Sequence, residues 1–182
     1  MPSILAIDQS TSATKAMLFS ASGECLDRET RAHRQYYPQP GWVEHDAEEI
    51  WQNVLNVTRT IIERLARRDK IEELAGISLS NQRETIVVFD RHTGKPLHKA
   101  IVWQCRRSES LCAEKVSAGH GPFVHTHTGL RIDPYFSASK ILWLLRHQPK
   151  LKDKIERGEA LIGTIDAYLI YRLTEGRVFA TD

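Results

Sequence analysis

Apolar and polar residues along this chain fall into short blocks whose spacing predicts most of its elements. Ile4, Leu5 and Ile7 form a first apolar run, and Ala16, Met17, Leu18 and Phe19 form a second. Short or polar residues from Asp8 to Lys15 separate them, so residues 3–20 read as strand, tight turn, strand. Ala21–Glu24 is a turn, and Cys25 to Arg34 reads as a third, partly exposed strand. Pro38, Pro40 and Gly41 break regular structure in the stretch from Tyr36 to Asp46, which is therefore expected to be an aromatic-rich loop. Ile50, Trp51, Val54, Leu55, Ile61, Ile62 and Leu65 then recur at helical spacing and predict a helix to about Arg67. Asp46 is placed to cap it, with Glu49 three residues on in a capping-box pattern.

The second half alternates more quickly. Leu74–Ser80, Thr85–Asp90 and Ala100–Trp103 read as strands, with a hairpin turn over Arg91–Pro96. Helices are predicted over Ser108–Ala118, from Ser137 to about His147, over Leu151–Arg157 and over Thr164–Thr174. In the second of these, Ile141, Leu142, Leu144 and Leu145 face inward. Residues 119–128 read as a histidine-bearing connector, and Gly129–Ser137 as a loop feeding the next helix. Ala160–Gly163 is a short strand, Gly176 ends the last helix, and residues 177–182 are expected to open one more strand. Opening hairpin strands followed by alternating helices and strands indicate an α/β class with a mixed β-sheet flanked by helices. The last strand has no partner after it, so a fragment of a longer chain is expected.

Composition narrows the function classes. A chain of 182 residues is long enough for one domain with a real core. Its hydrophobic content of 41% and charged content of 26% are those of a soluble globular protein. A net charge of +2 is too small to point to nucleic acid or to a membrane surface. No apolar run reaches membrane-spanning length, and Met1-Pro2 leads straight into a strand without a signal sequence. The three cysteines, Cys25, Cys105 and Cys112, form no close pair, which argues against a disulfide framework and for a reducing cytoplasm.

Two regions carry candidate chemistry. In the opening turn, Asp8-Gln9-Ser10-Thr11-Ser12-Ala13-Thr14-Lys15 joins short side chains to a carboxylate and a final cation. Small residues let a ligand approach the backbone, and successive amide groups in a turn make an anion-binding concavity. Asp8 at a strand end suits a divalent cation or its bound water. An ordinary hairpin turn is the competing reading, since Ser, Thr and Asp are common turn residues. In the second region, Arg83-Glu84 follows a strand end and can grip hydroxyls as donor and acceptor. Trp103 offers an indole face to a carbon skeleton, and Tyr135 a ring and a hydroxyl. Taken singly, these are usually a surface ion pair, a core residue and a cap contact. His125 and His127 have no carboxylate or cysteine in register, which argues against a metal centre there.

The opening turn resembles the first phosphate loop of the actin-like ATPase (ribonuclease H-like) fold, and within it that of the FGGY carbohydrate kinases. Ser80–Thr85, Ala100–Arg107 and Thr128–Ser137 are similar to the three substrate-side motifs of the glycerol kinases in that family. Pro38–Asp46 and Gly163–Ile170 also resemble glycerol kinase segments, all in the same order. Ser10 stands where those kinases usually carry Gly, and Lys15 where they often carry Arg. The resemblance implies that residues 1–182 form an N-terminal kinase segment whose C-terminal ATPase domain lies elsewhere. It implies ATP and Mg2+ as cofactors, with Asp8 serving the metal and Asp8, Gln9, Ser10, Thr11, Ser12, Thr14 and Lys15 lining the phosphates. Arg83, Glu84 and Tyr135 would bind substrate hydroxyls and Trp103 would pack on substrate carbons. The family's catalytic aspartate sits in a Gly-Asp-Gln motif that this sequence lacks. The implied activity of the whole enzyme is phosphorylation of glycerol to glycerol 3-phosphate, with a homo-oligomeric enzyme as the expected assembly. The alternatives are a kinase for another small polyol or ketose (erythritol, xylulose, ribulose) and a non-catalytic truncated binding module.

Overall fold

Side-chain alternation in the opening hairpin sorts it onto two faces. In β1 (Ser3–Gln9) and β2 (Ala13–Ser20), Leu5, Ile7, Ala16 and Leu18 are buried while the residues between them are at least partly exposed. The computed structural model describes residues 2–69 and 71–181, so Met1, Lys70 and Asp182 lie outside the described residues. The hairpin is followed by β3 (Cys25–Ala32), β4 (Gln35–Tyr36), β5 (Glu44–His45), α1 (Ala47–Arg67) and β6 (Leu74–Asn81). Next come β7 (Ile86–Asp90), β8 (Ala100–Ile101), α2 (Glu109–Ser117) and α3 (Gly121–Thr128). The chain continues through α4 (Ser137–His147), α5 (Pro149–Glu156), β9 (Ala160–Thr164) and α6 (Ile165–Leu173).

These elements divide into two compact units, one formed by residues 1–34 and 46–82 and the other by residues 35–45 and 83–182. The first unit is a four-stranded sheet in the order β3-β2-β1-β6. β6 runs parallel to β1 and the other pairs are antiparallel, so the sheet is mixed as the sequence predicts. One face packs against α1, where Leu5, Ala16 and Leu18 meet Val57, Ile61 and Leu65. Asp46 caps α1 as expected, its carboxylate accepting from the amides of Glu48 at 3.0 Å and Glu49 at 3.4 Å. Glu49 accepts from the Arg34 amide at 3.2 Å. Arg64 in the last turn reaches Asp27 at 3.0 Å and Glu29 at 2.8 Å on β3, fastening the helix across the sheet.

The second unit holds a five-stranded antiparallel sheet in the order β4-β5-β8-β7-β9. Its core joins Ile86, Val88, Ile101 and Val102 to Leu111, Trp143 and Leu144 from the helices. This antiparallel sheet is additional to the expected mixed one, since the alternation pattern reports each strand's buried face but not which strands share a sheet. The predicted aromatic loop also contributes two short strands, β4 and β5, which pair with each other, and β5 pairs with β8. β8 stops at Ile101 because the chain turns back at once, with the Cys105 amide donating to the Val102 carbonyl at 2.9 Å. The histidine connector is helical: Pro122 starts α3, and Gly129 ends it in the left-handed conformation, its amide bonding the His125 carbonyl at 2.8 Å. α3 buries no residue, so it leaves no apolar stripe in the sequence. Residues 177–181 do not form the expected strand.

Candidate active site

Strand register decides where the residues of the opening turn point. Asp8 pairs with Lys15 and with Ser80, whereas Gln9 pairs with Thr14 and with Asn81. Because side chains alternate, Asp8, Lys15 and Ser80 share one face, and Gln9 and Thr14 share the face that α1 covers. Asp8 accepts from Lys15 Nζ at 3.4 Å and from Ser80 Oγ at 3.1 Å, and the Asp8–Lys15 pair is partly exposed. Gln9 and Thr14 are fully buried. The two strands thus take in more of the predicted turn than the polar run suggests, leaving only Ser10, Thr11 and Ser12 between them.

That short turn is fastened from several sides. The Ser10 amide and hydroxyl both donate to the Ala13 carbonyl at 2.9 Å. The hydroxyl of Ser10 is therefore turned back onto its own loop. Gln9 Nε2 donates to the Ser10 carbonyl at 2.8 Å, and Gln82 Nε2 donates in turn to Gln9 Oε1 at 2.9 Å. His33, which the sequence did not single out, grips the same turn: its amide donates to the Ser12 carbonyl at 3.3 Å and its Nε2 to the Thr11 carbonyl at 2.9 Å. Burial pushes the His33 imidazole below its ordinary range, with the Thr11 bond and the charge of Glu49 opposing. A neutral ring holding a carbonyl suits a scaffold role. What the turn offers a ligand is small hydroxyl side chains flanked by one ammonium and one carboxylate, a donor set for phosphate oxygens and a hard cation.

In the second unit Glu84, Trp103 and Tyr135, three of the four residues expected on the substrate side, meet around the segment before α4. Trp103 is held by its amide, which donates to Thr85 Oγ1 at 3.1 Å. Its ring meets that of Tyr135 edge to face, with centroids 5.6 Å apart. These two rings, with Arg106, Glu109, Asp133 and Pro134, line a cavity of about 420 Å3. Glu84 occupies the left-handed region at φ 61, uncommon for a residue with a side chain. Its carboxylate accepts from the Ser137 amide at 2.8 Å and the Ser137 hydroxyl at 2.7 Å, at the start of α4. Arg83 is exposed and does not line the cavity. A second, mostly apolar cavity of about 460 Å3 lies between α2, α3 and α4, walled by Leu111, Phe123, Leu130 and Leu142 among others.

Two buried cations, Lys140 and Arg107, hold this region together. Lys140 is completely buried, and its ammonium donates to the carbonyls of Pro134 at 2.7 Å, Phe136 at 3.3 Å and Tyr135. Burial lowers the Lys140 ammonium to about 8, with the negative charge of Glu84 the strongest opposing influence. Arg107 lies between the rings of Trp42 at 4.0 Å and Trp143 at 4.9 Å, bonds Glu44 at 2.7 Å and donates from Nε to Cys105 Sγ at 3.0 Å. All three cysteines are free, as their spacing implies. His125 and His127 differ by two residues on α3, which turns their side chains to nearly opposite sides of the helix.

Comparison with known proteins places this geometry. Residues 3–182 match the model of the FGGY family of carbohydrate kinases, N-terminal domain. The chain is 48% identical over 179 residues to glycerol kinase 1 of Thermotoga maritima and 47% identical over 179 residues to glycerol kinase of Symbiobacterium thermophilum. Each comparison covers 98% of this chain and 36% of the relative, so the chain spans about a third of the length of these proteins. Among solved structures it is similar to Plasmodium falciparum glycerol kinase with ADP, at TM-score 0.87 and 39% identity over 97% of this chain and 35% of that one. Gluconate kinase from Lactobacillus acidophilus, at 22% identity and TM-score 0.80 over 94% of this chain and 33% of that one, shares the fold. The mixed α/β architecture is thus that of the actin-like ATPases, and the chain belongs to the FGGY family of carbohydrate kinases.

Proposed function

We propose that the protein carrying this chain is an ATP-dependent kinase that phosphorylates glycerol to glycerol 3-phosphate. The observation that carries the reading is the Trp103–Tyr135 ring pair at 5.6 Å, which walls a cavity bearing both cationic and anionic side chains. Such a wall packs on the apolar flank of a short carbon skeleton, and charged neighbours hydrogen-bond its hydroxyls. Neither Arg83 nor Glu84 lines this cavity; by the resemblance to glycerol kinases, Arg83 would donate to a substrate hydroxyl and Glu84 would accept from one. Glu84 is held ready by its two bonds to Ser137. The similarity to glycerol kinases at 48% and 47% identity supports this substrate over a ketose or a longer polyol.

The first unit would supply the nucleotide side of the reaction. Ser10, Thr11, Ser12 and Lys15 would hold phosphate oxygens, with Gln9 and Thr14 shaping the turn from its buried face. Asp8 would hold Mg2+ or one of its waters. Among the described residues no three acidic, histidine or cysteine side chains converge on a metal position, so one carboxylate plus water and phosphate oxygens would complete the shell. Bound Mg-ATP would supply the transferable phosphoryl group and screen its charge. The chain's own residues contribute position and electrostatics, the terms that dominate phosphoryl transfer. The proton acceptor would come from the family's Gly-Asp-Gln motif, which this sequence does not contain. No helix among the described residues is long and apolar enough to cross a membrane. We propose cytoplasmic residence and homo-oligomeric assembly for the whole enzyme. Glycerol-dependent ADP release by the full gene product tests the reading, and a kinase that ignores glycerol would refute it.

A further inference from the structure

We infer that Lys140 is a positioning residue for the polyol pocket, its buried ammonium gathering the carbonyls of Pro134, Tyr135 and Phe136 and so fixing the Tyr135 ring against Trp103. The inference rests on the proposed kinase reading for what the pocket binds. Lys140 lies four residues beyond Phe136, one helical turn into α4, and reaches back to the three carbonyls that precede the helix. Three peptide groups held by one point charge define the path of the segment that carries Tyr135. Tyr135 is itself 44% exposed, so side-chain packing does little to fix it. Its contacts are the edge-to-face pairs with Trp103 and Phe136, and its amide donates to Asp133 Oδ1 at 2.8 Å. Glu84 secures the same place from the other side by binding Ser137. The two charges thus bracket the entry to α4, the carboxylate on its first amide and the ammonium on the carbonyls before it.

The balance of charge around Lys140 makes this clamp sensitive to pH. The groups facing it are Glu84 before β7, Cys105 after β8, Cys112 on α2 and Asp133 in the clamped segment, all of which favour the ammonium. Burial outweighs them and brings the group down to about 8. A helix N-terminus is also an unfavourable place for a cation. Loss of the proton leaves an amine with two N–H groups facing three carbonyls, so the clamp loosens.

The test uses the full gene product, with glycerol and Mg-ATP varied separately from pH 6.5 to 9.5. Lys140→Met is expected to raise KM for glycerol by about tenfold to a hundredfold while KM for ATP stays within about twofold. In the wild type, kcat/KM for glycerol should fall with an apparent pKa near 8, and Lys140→Met should lack that limb. Lys140→Arg, which keeps the charge throughout this range, should lack it as well while retaining a lower KM than Lys140→Met. Equal changes in both KM values, or a wild-type alkaline limb preserved in Lys140→Met, would overturn the inference. Tryptophan fluorescence of the wild type without ligands gives a reading that needs neither activity nor the folding of Lys140→Met. A step near pH 8 that disappears in Trp103→Phe supports the clamp, and absence of the step overturns it. Such a step in a protein that does not turn over glycerol would refute the kinase reading and leave the positioning role standing.

Discussion

Replacing Arg107 with methionine should destabilise the second unit and disturb the pocket turn at the same time. The guanidinium is fully buried and its partner carboxylate on Glu44 is 13% exposed, so the pair at 2.7 Å is nearly shielded from water. Removing one member of such a pair leaves a stranded charge and costs about 3–5 kcal/mol. Stacking between Trp42 at 4.0 Å and Trp143 at 4.9 Å adds about 2 kcal/mol for a desolvated cation. Two terms oppose. Methionine refills part of the volume with a flexible apolar chain. It also removes Nη1, which is buried with no hydrogen-bond partner among the described residues, an arrangement that costs about 1–3 kcal/mol. The net expectation for Arg107→Met is about 3 kcal/mol, read as a lowered urea midpoint by tryptophan fluorescence. Glu44→Gln alone should cost less, and the double variant should be less damaged than the sum by about 2 kcal/mol. Because Arg107 also donates to Cys105 Sγ within the turn that follows Trp103, KM for glycerol should rise in the same variant. A loss below about 1 kcal/mol, or strict additivity with Glu44→Gln, would refute the claim that this buried pair holds the turn.

Four further outcomes follow from the geometry. Arg83→Ala should lower kcat/KM for glycerol strongly with a smaller effect on ATP binding, and an unchanged glycerol dependence in steady-state kinetics would remove Arg83 from the site. Asp46→Ala should cost about 1 kcal/mol in chemical denaturation by stripping the cap of α1, and Asp46→Asn should restore most of it. Ser10→Ala should raise KM for ATP more than KM for glycerol, because it removes the bond that folds the hydroxyl onto the Ala13 carbonyl. Lys140 sits near 8 when folded and near 10.4 when unfolded, so the unfolded chain holds more protons between those values. Its contribution to stability should therefore rise with pH across that window while glycerol affinity falls, and Lys140→Met should remove both slopes.

Much of this was legible in the sequence, for physical reasons that differ by element. The opening hairpin and α1 are written in local alternation, in the apolar stripe of α1 and in the Asp46 cap, all short-range signals. The split into two sheets was not legible, because strand partnership is set by contacts across long separations: β5 pairs with β8, and β7 with β9. α3 lacked any apolar stripe and was defined only by Pro122 and Gly129 at its ends. The site residues were named from motif resemblance, and the structure adds what motifs omit. Register turns Gln9 and Thr14 away from Asp8 and Lys15. His33, Lys140 and Arg107 read from sequence as ordinary polar positions, since burial of a charge depends on neighbours that close around it. For Lys140 a hint was present, as it occupies the same helical face as Trp143 and Leu144.

The most direct test of the central claim is ADP release by the full gene product with Mg-ATP, compared across glycerol, erythritol, xylulose and ribulose. The glycerol kinase reading requires a clear preference for glycerol, lost when Trp103 or Tyr135 is replaced by alanine. Preference for a longer substrate, or no turnover with any of the four, would contradict it.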